Sequence, residues 1–419
     1  MKILLITPGS GDAFYCSNCF RDSLYAQALR NAGHQITIMP LYLPLMEKSL
    51  QTDIPLFFPA TSFYVAQKFF KKGKMPHFFE NILNSTTLLR WATSLSGTTS
   101  AKGMEEMTLS MITGDGENFS KQSEKIIYWL ENHEKPDIIH LSTSLLAGIA
   151  KAIKNSTNIP IVCSLQDEEV WIESLENRFA EQAWRAIGQN SAYINQFITT
   201  SEYYKSVAFN KIPEIKEIDV VYPGVNIETY KSLEYPKNPT IGFYYRMNYE
   251  NGLDILAQAF VKLKKENRVA NLKLKIGGGY TRENKKFLRH IQTVLKPYMN
   301  DVTFSRHYSL DEHTTFYKDI SLICTPLRFN QAFGLYLSEA FATGRPAVAP
   351  DTGSFKEIIG DAGILYTPNT SEELAEALLK LLTNGALYRQ CKEQALQLSR
   401  EKYNDTTVAQ RLLQIYDKL

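Results

Sequence analysis

Long apolar runs are missing from this 419-residue chain. None approaches the length a helix needs to cross a bilayer, so no membrane-spanning helix is expected. Cysteine is scarce: of five residues, only Cys16 and Cys19 form a Cys-x-x-Cys pair. A structural zinc takes four ligands, and no second such pair or paired-histidine motif completes a set, so no metal site is expected. The pair is read as reduced and structural, at the first turn of a helix, with a thiol–disulfide role as the alternative. The odd cysteine count, and a start directly on a strand pattern at Lys2 that leaves no room for a signal peptide, point to the cytoplasm. An excess of either charge is also absent. Forty-six Lys and Arg against 44 Asp and Glu leave a net charge of +2, which gives no case for a nucleic-acid partner. Internal repeats and low-complexity segments are lacking as well.

What remains is the composition of an ordinary globular protein, 44% hydrophobic and 21% charged. The chain is too long for one compact core, and two domains are expected. The run Lys2–Ile6 predicts a strand, Cys19–Asn31 a helix with apolar Phe20, Leu24, Tyr25, Ala28 and Leu29, and Gln35–Ile38 a second strand. This strand–helix–strand unit implies a parallel sheet, whose ligand site lies at the carboxyl ends of its strands. Asp137–Leu141, Ile159–Cys163 and Gln196–Thr200 continue the strands, Leu145–Lys154 is a helix, and Ser201 is placed to cap the next one. A polar stretch with Pro236 and Pro239 marks a linker near 231–240. A second series follows: strand Ile241–Tyr245, helix Asp254–Lys265, strands Leu272–Ile276, Ser321–Cys324 and Ala347–Pro350. Helices Ser371–Leu382, Ala386–Lys402 and Thr407–Leu419 close the chain.

The segment from Asn330 to Gly344, followed by Arg345–Pro346, carries the most chemistry. Phe333-Gly334-Leu335 leads into a short apolar helix whose first amides lack intrahelical partners and can hold an anion or hydroxyls. Glu339 lies five residues after Gly334, placed to accept hydrogen bonds from a diol such as a ribose. A phosphate site beside a ribose carboxylate is the chemistry of a nucleotide-sugar pocket. The alternative for Glu339 is a solvated helix carboxylate, but its neighbours Leu337, Ala340 and Phe341 make an unpaired charge costly there. Gly9 and Gly11 either let the backbone approach a diphosphate or make a tight turn. His140 either lines a cleft or is a satisfied core histidine. Asp167, Glu168 and Glu169 either bind an acceptor hydroxyl or form a solvated loop.

The segment resembles the Glu-x7-Glu donor motif of retaining family-4 glycosyltransferases (glycosyl transferases group 1), which have the GT-B fold. Other motifs of that family fall in the same order. They are Thr7-Pro8-Gly9-Ser10-Gly11 after the first strand, Val220-Val221-Tyr222-Pro223-Gly224-Val225-Asn226 before the linker, Gly242 to Arg246 with Glu250-Asn251-Gly252, Gly277-Gly278-Gly279, and Gly353 to Glu357. The resemblance implies an α/β protein of two Rossmann-like domains facing across a cleft. Residues 1–232 would form the acceptor side, 233–405 the nucleotide-sugar side, and 406–419 a helix crossing back to the first domain. It implies transfer of a sugar from a nucleotide diphosphate to an unidentified acceptor, with retention of configuration and without metal or cofactor. Arg246 and the amides of Leu335 and Tyr336 would hold the phosphates, and Glu339 the ribose. Amides of Ala332, Phe333 and Gly334, with the Gln331 side chain, would face the sugar, and Gly9 and Gly11 the diphosphate. Acceptor contacts would come from the first domain, including Gln166 to Glu169.

Three positions depart from the pattern. The first carboxylate of the motif falls on Gln331, the lysine partnering Arg246 on Asn251, and a histidine after the fourth or fifth strand on Gln166. These changes leave open a non-catalytic sugar-nucleotide or glycan-binding protein on the same fold; an epimerase lacks evident acid–base histidines. Residues 44–135 are the least typical and are read as a helical insertion. Within it, Phe63–Lys74 mixes aromatics with lysines. That stretch is either a solvated face of a helical subdomain, the favoured reading, or a contact with the inner face of a membrane.

Overall fold

The computed structural model describes residues 1–9, 16–41, 104–305 and 315–419. Lys2–Thr7 (β1) carries Ile3, Leu4, Leu5 and Ile6 with every one of them buried, the continuous apolar run of a strand covered on both faces. Gln35–Pro40 (β2), Ile138–Leu141 (β3), Ile161–Leu165 (β4), Gln196–Thr199 (β5) and Ile218–Val220 (β6) join it in a parallel sheet of order β2-β1-β3-β4-β5-β6. A second six-stranded parallel sheet is built from Thr240–Tyr244 (β7), Lys273–Gly277 (β8), Val302–Phe304 (β9), Leu322–Cys324 (β10), Ala347–Pro350 (β11) and Gly363–Tyr366 (β12). Its order is β12-β11-β10-β7-β8-β9. Chain order reverses between β1 and β3 in the first sheet and between β7 and β10 in the second, where open parallel sheets hold ligands.

Both faces of each sheet are covered. On the first, Leu4, Ile6, Ile139 and Ile161 pack with Ile126 and Leu130 of helix Glu117–Asn132 and Ile187 of helix Asn177–Asn190. On its other face, Ile3, Leu5, Val162 and Ile198 meet Tyr25 and Leu29 of helix Ser17–Asn31 and Leu412 and Ile415 of helix Asp405–Tyr416. The C-terminal helix is therefore built into the first sheet's core. Beneath the second sheet, Ile241, Phe243, Leu274 and Ile276 pack against helices Leu253–Glu266 and Ser371–Thr383. Tyr244, Ile323 and Ala347 meet Leu337 and Phe341 of helix Leu335–Ala342 on the opposite face.

Ser201 caps helix Glu202–Lys211 by accepting the Tyr204 amide. The strand expected over Ile159–Cys163 starts two residues later, after Pro160, which has no N–H to donate to a ladder. Leu145–Lys154 divides into a single 3-10 turn, Ser144–Leu146, and helix Gly148–Ser156. Helices Glu105–Thr113 and Glu117–Asn132 lie in the atypical region. The Phe63–Lys74 stretch lies outside the described residues. Among those described, no helix is long and apolar enough to cross a membrane.

Candidate nucleotide-sugar site

Helix Leu335–Ala342 starts at Gly334, which caps it without a side-chain hydrogen bond, while the Leu337 amide closes onto the Gly334 carbonyl at 2.8 Å. The turn before it is held from the loop after β11: the Ser354 amide donates to the Gln331 carbonyl at 3.1 Å. Gly353 makes that approach feasible, because with φ +57 a side chain there would be strained and its Cβ would lie 2.8 Å from the Gln331 nitrogen. Gln331 itself is fully buried. Its Nε2 donates to the Tyr245 hydroxyl at 3.0 Å, and its Oε1 accepts from the Tyr336 hydroxyl at 3.1 Å. The side chain expected to face a sugar is thus spanned between Tyr245, just after β7, and Tyr336, on the helix itself.

Arg246 leaves the carboxyl end of β7 and is largely buried; its Nη2 donates to the Thr281 hydroxyl at 3.2 Å. Burial lowers its pKa, with the Glu283 and Glu250 charges opposing, and a guanidinium stays charged at any physiological pH. Asn251 turns inward instead of toward a phosphate. Its Nδ2 donates to the Arg246 carbonyl at 2.7 Å, and its amide donates to Asn248 Oδ1 at 2.9 Å. Asn251 therefore pins the loop that carries Arg246. The next residue, Gly252, has φ +71 and approaches Pro326 so closely that a Cβ would stand 1.8 Å from the Pro326 oxygen.

Glu339 is buried, as the apolar helix around it demanded, and it is not left as a bare charge. Its Oε1 accepts from the Tyr230 hydroxyl at 2.9 Å and its Oε2 from the Tyr317 hydroxyl at 2.7 Å. Neither tyrosine was singled out in the sequence, where 23 tyrosines make any one of them inconspicuous. Ser338 ties the same helix to the chain between the sheets by donating to the Pro223 carbonyl at 2.9 Å.

The first sheet supplies the facing wall. Gln166, at the end of β4, accepts from Arg21 Nη1 at 3.0 Å, and its amide donates to Glu168 Oε2 at 2.7 Å. It belongs to a buried network in which Arg21 also contacts Asp22 and the Ser142 carbonyl. Glu168 accepts from Thr143 Oγ1 at 2.9 Å and from Tyr204, so it is a buried structural carboxylate and not a solvated one. Asp167 differs: half-buried, its Oδ1 accepts the Ala332 amide at 2.7 Å, while Ser201 donates to the Ala332 carbonyl at 2.6 Å. The amide expected to face a sugar is held by a carboxyl from the opposite sheet. Burial, with the nearby Glu169 charge, pushes the Asp167 carboxyl up to about 8, against the pull of the Ala332 amide; Glu169 is pushed up to about 7, chiefly by burial.

Other expectations fall as follows. Gly9 turns the chain after β1 with φ +93, and its amide donates to Thr7 Oγ1 at 3.2 Å; Gly11 lies outside the described residues. His140 is a satisfied core residue between the Tyr416 hydroxyl (2.7 Å) and Ser164 Oγ (2.8 Å), and burial, with the Arg21 charge adding, lowers it to about 3. Cys16 and Cys19 are joined in a disulfide instead of reduced. Helix entry sets their Cα atoms 5.3 Å apart, within bonding range. Phe333 is buried against Tyr403 and serves as packing. Among the described residues, no group of three or more His, Cys, Asp or Glu is placed to hold a metal ion.

The comparisons agree with this geometry. Residues 115–229 match the model of glycosyltransferase family 4, and residues 226–398 that of glycosyl transferases group 1. A glycosyltransferase of Methanocaldococcus jannaschii is 26% identical over 290 residues, 68% of this chain and 76% of its own length. A probable sucrose-phosphate synthase of Oryza sativa is 30% identical over 176 residues, 38% of this chain but only 16% of its own length. Among solved structures, the sucrose-phosphate synthase of Thermosynechococcus elongatus superposes with a TM-score of 0.72 at 15% identity, covering 100% of this chain and 99% of that one. Anabaena HepE covers both chains fully, with TM-scores of 0.69 (16% identity) in complex with UDP and 0.66 (14%) in complex with UDP-glucose. On these matches, and on the paired parallel sheets with a glycine-led helix at the switch point of the second, the chain belongs to the family-4, group 1 glycosyltransferases of the GT-B fold.

Proposed function

We propose that the protein moves a sugar from a nucleoside diphosphate to an acceptor hydroxyl, with retention of configuration and without a bound metal. The observation that carries this reading is the start of helix Leu335–Ala342, capped by Gly334 without a side-chain hydrogen bond, on the sheet whose β7 leads into Arg246. A helix N-terminus and a guanidinium together offset a leaving diphosphate, the group whose charge grows during transfer. Complexes of the structural neighbour HepE with UDP and UDP-glucose support a uridine donor. The Arg21–Gln166–Glu168 network shapes the facing wall where an acceptor would dock. Transfer would occur between the two sheets, with the residues Gly9, Arg246, Leu335 and Tyr336 on the phosphates and Glu339, with its tyrosines, on the ribose.

A second reading, a sugar-nucleotide-binding protein without turnover, draws on Gln331: a neutral amide, hydrogen-bonded to Tyr245 and Tyr336, stands where the family motif has a carboxylate. A hydrolysis and transfer screen over UDP-, GDP- and ADP-sugars, with and without chelator, separates the two. Turnover that survives chelation is the expected result. Binding without turnover would establish the second reading, and loss of all turnover on chelation would overturn the metal-free mechanism.

A further inference from the structure

Resting on the transferase reading, we propose that Asp167 is a donor-sugar contact whose carboxyl, delivered across the cleft from the first sheet, supplies the acidic group that position 331 lacks. Asp167 sits at the carboxyl end of β4 in a left-handed backbone conformation, φ 56 and ψ 24, unusual for a residue with a side chain. Such a conformation persists where the surroundings over-determine it. Here they do: the Gln166 amide is tied to Glu168, the Glu168 amide donates to the Tyr204 hydroxyl at 2.8 Å, and Gln166 is held by Arg21. The turn is fixed from beneath, and what it presents is one carboxyl directed at the second sheet.

The target is specific. Ala332 lies between Gln331 and the Phe333-Gly334 step, on the approach to the helix start and not on the helix itself. Its peptide is gripped on both sides by the first sheet, the N–H by Asp167 and the C=O by Ser201. A diphosphate at the helix start places its sugar on the side of this peptide, so a hydroxyl that reaches the Ala332 amide meets Asp167. Gln331 supplies no acidic group there, since its neutral amide is turned between Tyr245 and Tyr336. A carboxyl at 167 accepts hydroxyl hydrogen bonds when ionised and both accepts and donates when protonated. The acidic group of the sugar subsite has thus moved from the donor loop to the opposing sheet.

Calorimetry with UDP-, GDP- and ADP-glucose, each against its bare diphosphate, tests the assignment. For the donor pair that wild type binds best, Asp167→Asn should weaken the sugar nucleotide about tenfold, the scale of one hydrogen bond to a sugar hydroxyl, and leave the bare diphosphate unchanged. Gln331→Glu should weaken the sugar nucleotide in the wild-type background, where two acidic groups crowd one subsite, yet partly restore it in Asp167→Asn. A purely structural Asp167 would not produce that reversal of sign. If Asp167→Asn does not fold, Asp167→Gly, which relieves the left-handed backbone, is measured in its place. Equal loss on sugar nucleotide and bare diphosphate, no loss on either, or no rescue by Gln331→Glu overturns the assignment. Wild type binding none of the six ligands would instead overturn the transferase reading beneath it.

Discussion

Glu339 was legible from its place on an apolar helix; its partners were not. Tyr230 and Tyr317 lie 109 and 22 positions away in the chain, so no local pattern connects them to it. The pair alters what the substitution Glu339→Gln should do. An amide can still accept one tyrosine hydroxyl, but the charge that strengthens a diol contact is gone. Nucleoside diphosphate affinity should fall by roughly 1.5–3 kcal/mol, the range for hydrogen bonds to charged groups. Calorimetry with the bare diphosphate checks this; an unchanged affinity would leave Glu339 a purely structural partner of the tyrosines. Asn251 teaches the opposite lesson. Its spacing from Arg246 suggested a residue beside a phosphate, yet its amide is spent on the Arg246 carbonyl. A lysine at 251 would lose that bond, so Asn251→Lys should loosen the Arg246 loop and not tighten nucleotide binding, whereas Arg246→Ala should nearly abolish it.

At the scale of elements, strands and amphipathic helices with clear periodicity were legible to within three residues: β11 is Ala347–Pro350, helix Ser371–Thr383 extends its expected range by one residue, and the last helix ends at Tyr416, three short of its expected end. Helices Asn177–Asn190 and Lys285–Leu295 were not foreseen, although each buries an apolar stripe at helical spacing, Ala183, Ala186 and Ile187 in the first and Leu288, Ile291 and Leu295 in the second. The Cys16–Cys19 bond was missed because cysteine number bears on compartment, whereas pairing is set by how close the helix entry brings the two residues. Gly252 shows how one residue fixes an element. It begins helix Leu253–Glu266 in a left-handed conformation and against the Pro326 carbonyl. Gly252→Ala meets both the φ penalty and a backbone clash, so it should destabilise the protein by at least about 2 kcal/mol. An unchanged urea midpoint would mean the loop relaxes freely, and the Arg246 position would then not depend on it.

At the scale of the whole molecule, the two-sheet architecture was visible in the repeated strand–helix series, but how the sheets engage each other was not, since those contacts join residues more than a hundred positions apart. They have a pH signature. The Asp167 carboxyl is raised to about 8, so the folded state holds a proton that the unfolded chain, near the usual carboxylate value, releases. Its contribution to stability is present in full at acid pH and is lost as pH rises through about 8. Asp167→Asn removes that titration, so its stability relative to wild type should improve from pH 5 to pH 9 in urea unfolding; a constant difference would mean Asp167 is ionised throughout. A further tie between the sheets is Glu357, of helix Phe355–Ile359. Its carboxylate accepts the Glu202 amide at 2.8 Å and the Tyr203 amide at 2.9 Å, with the Tyr222 hydroxyl at 2.7 Å. These amides open helix Glu202–Lys211, where a negative charge is favoured, and Ser201 of the same turn grips Ala332. One carboxylate therefore links the second sheet to the turn that steadies the donor loop. Glu357→Ala leaves the helix capped by Ser201 and each sheet's core intact, so the protein should still fold. What it loses is the registration of the two sheets. Small-angle scattering should then report a larger radius of gyration, and the donor KM should rise more than kcat falls, because the sheets must be brought together on each binding event. An unchanged scattering profile with unchanged KM would show that the Asp167 and Ser201 hydrogen bonds to Ala332, with the apolar packing of Val225 against Leu335 and Ala342, hold the sheets without help from Glu357.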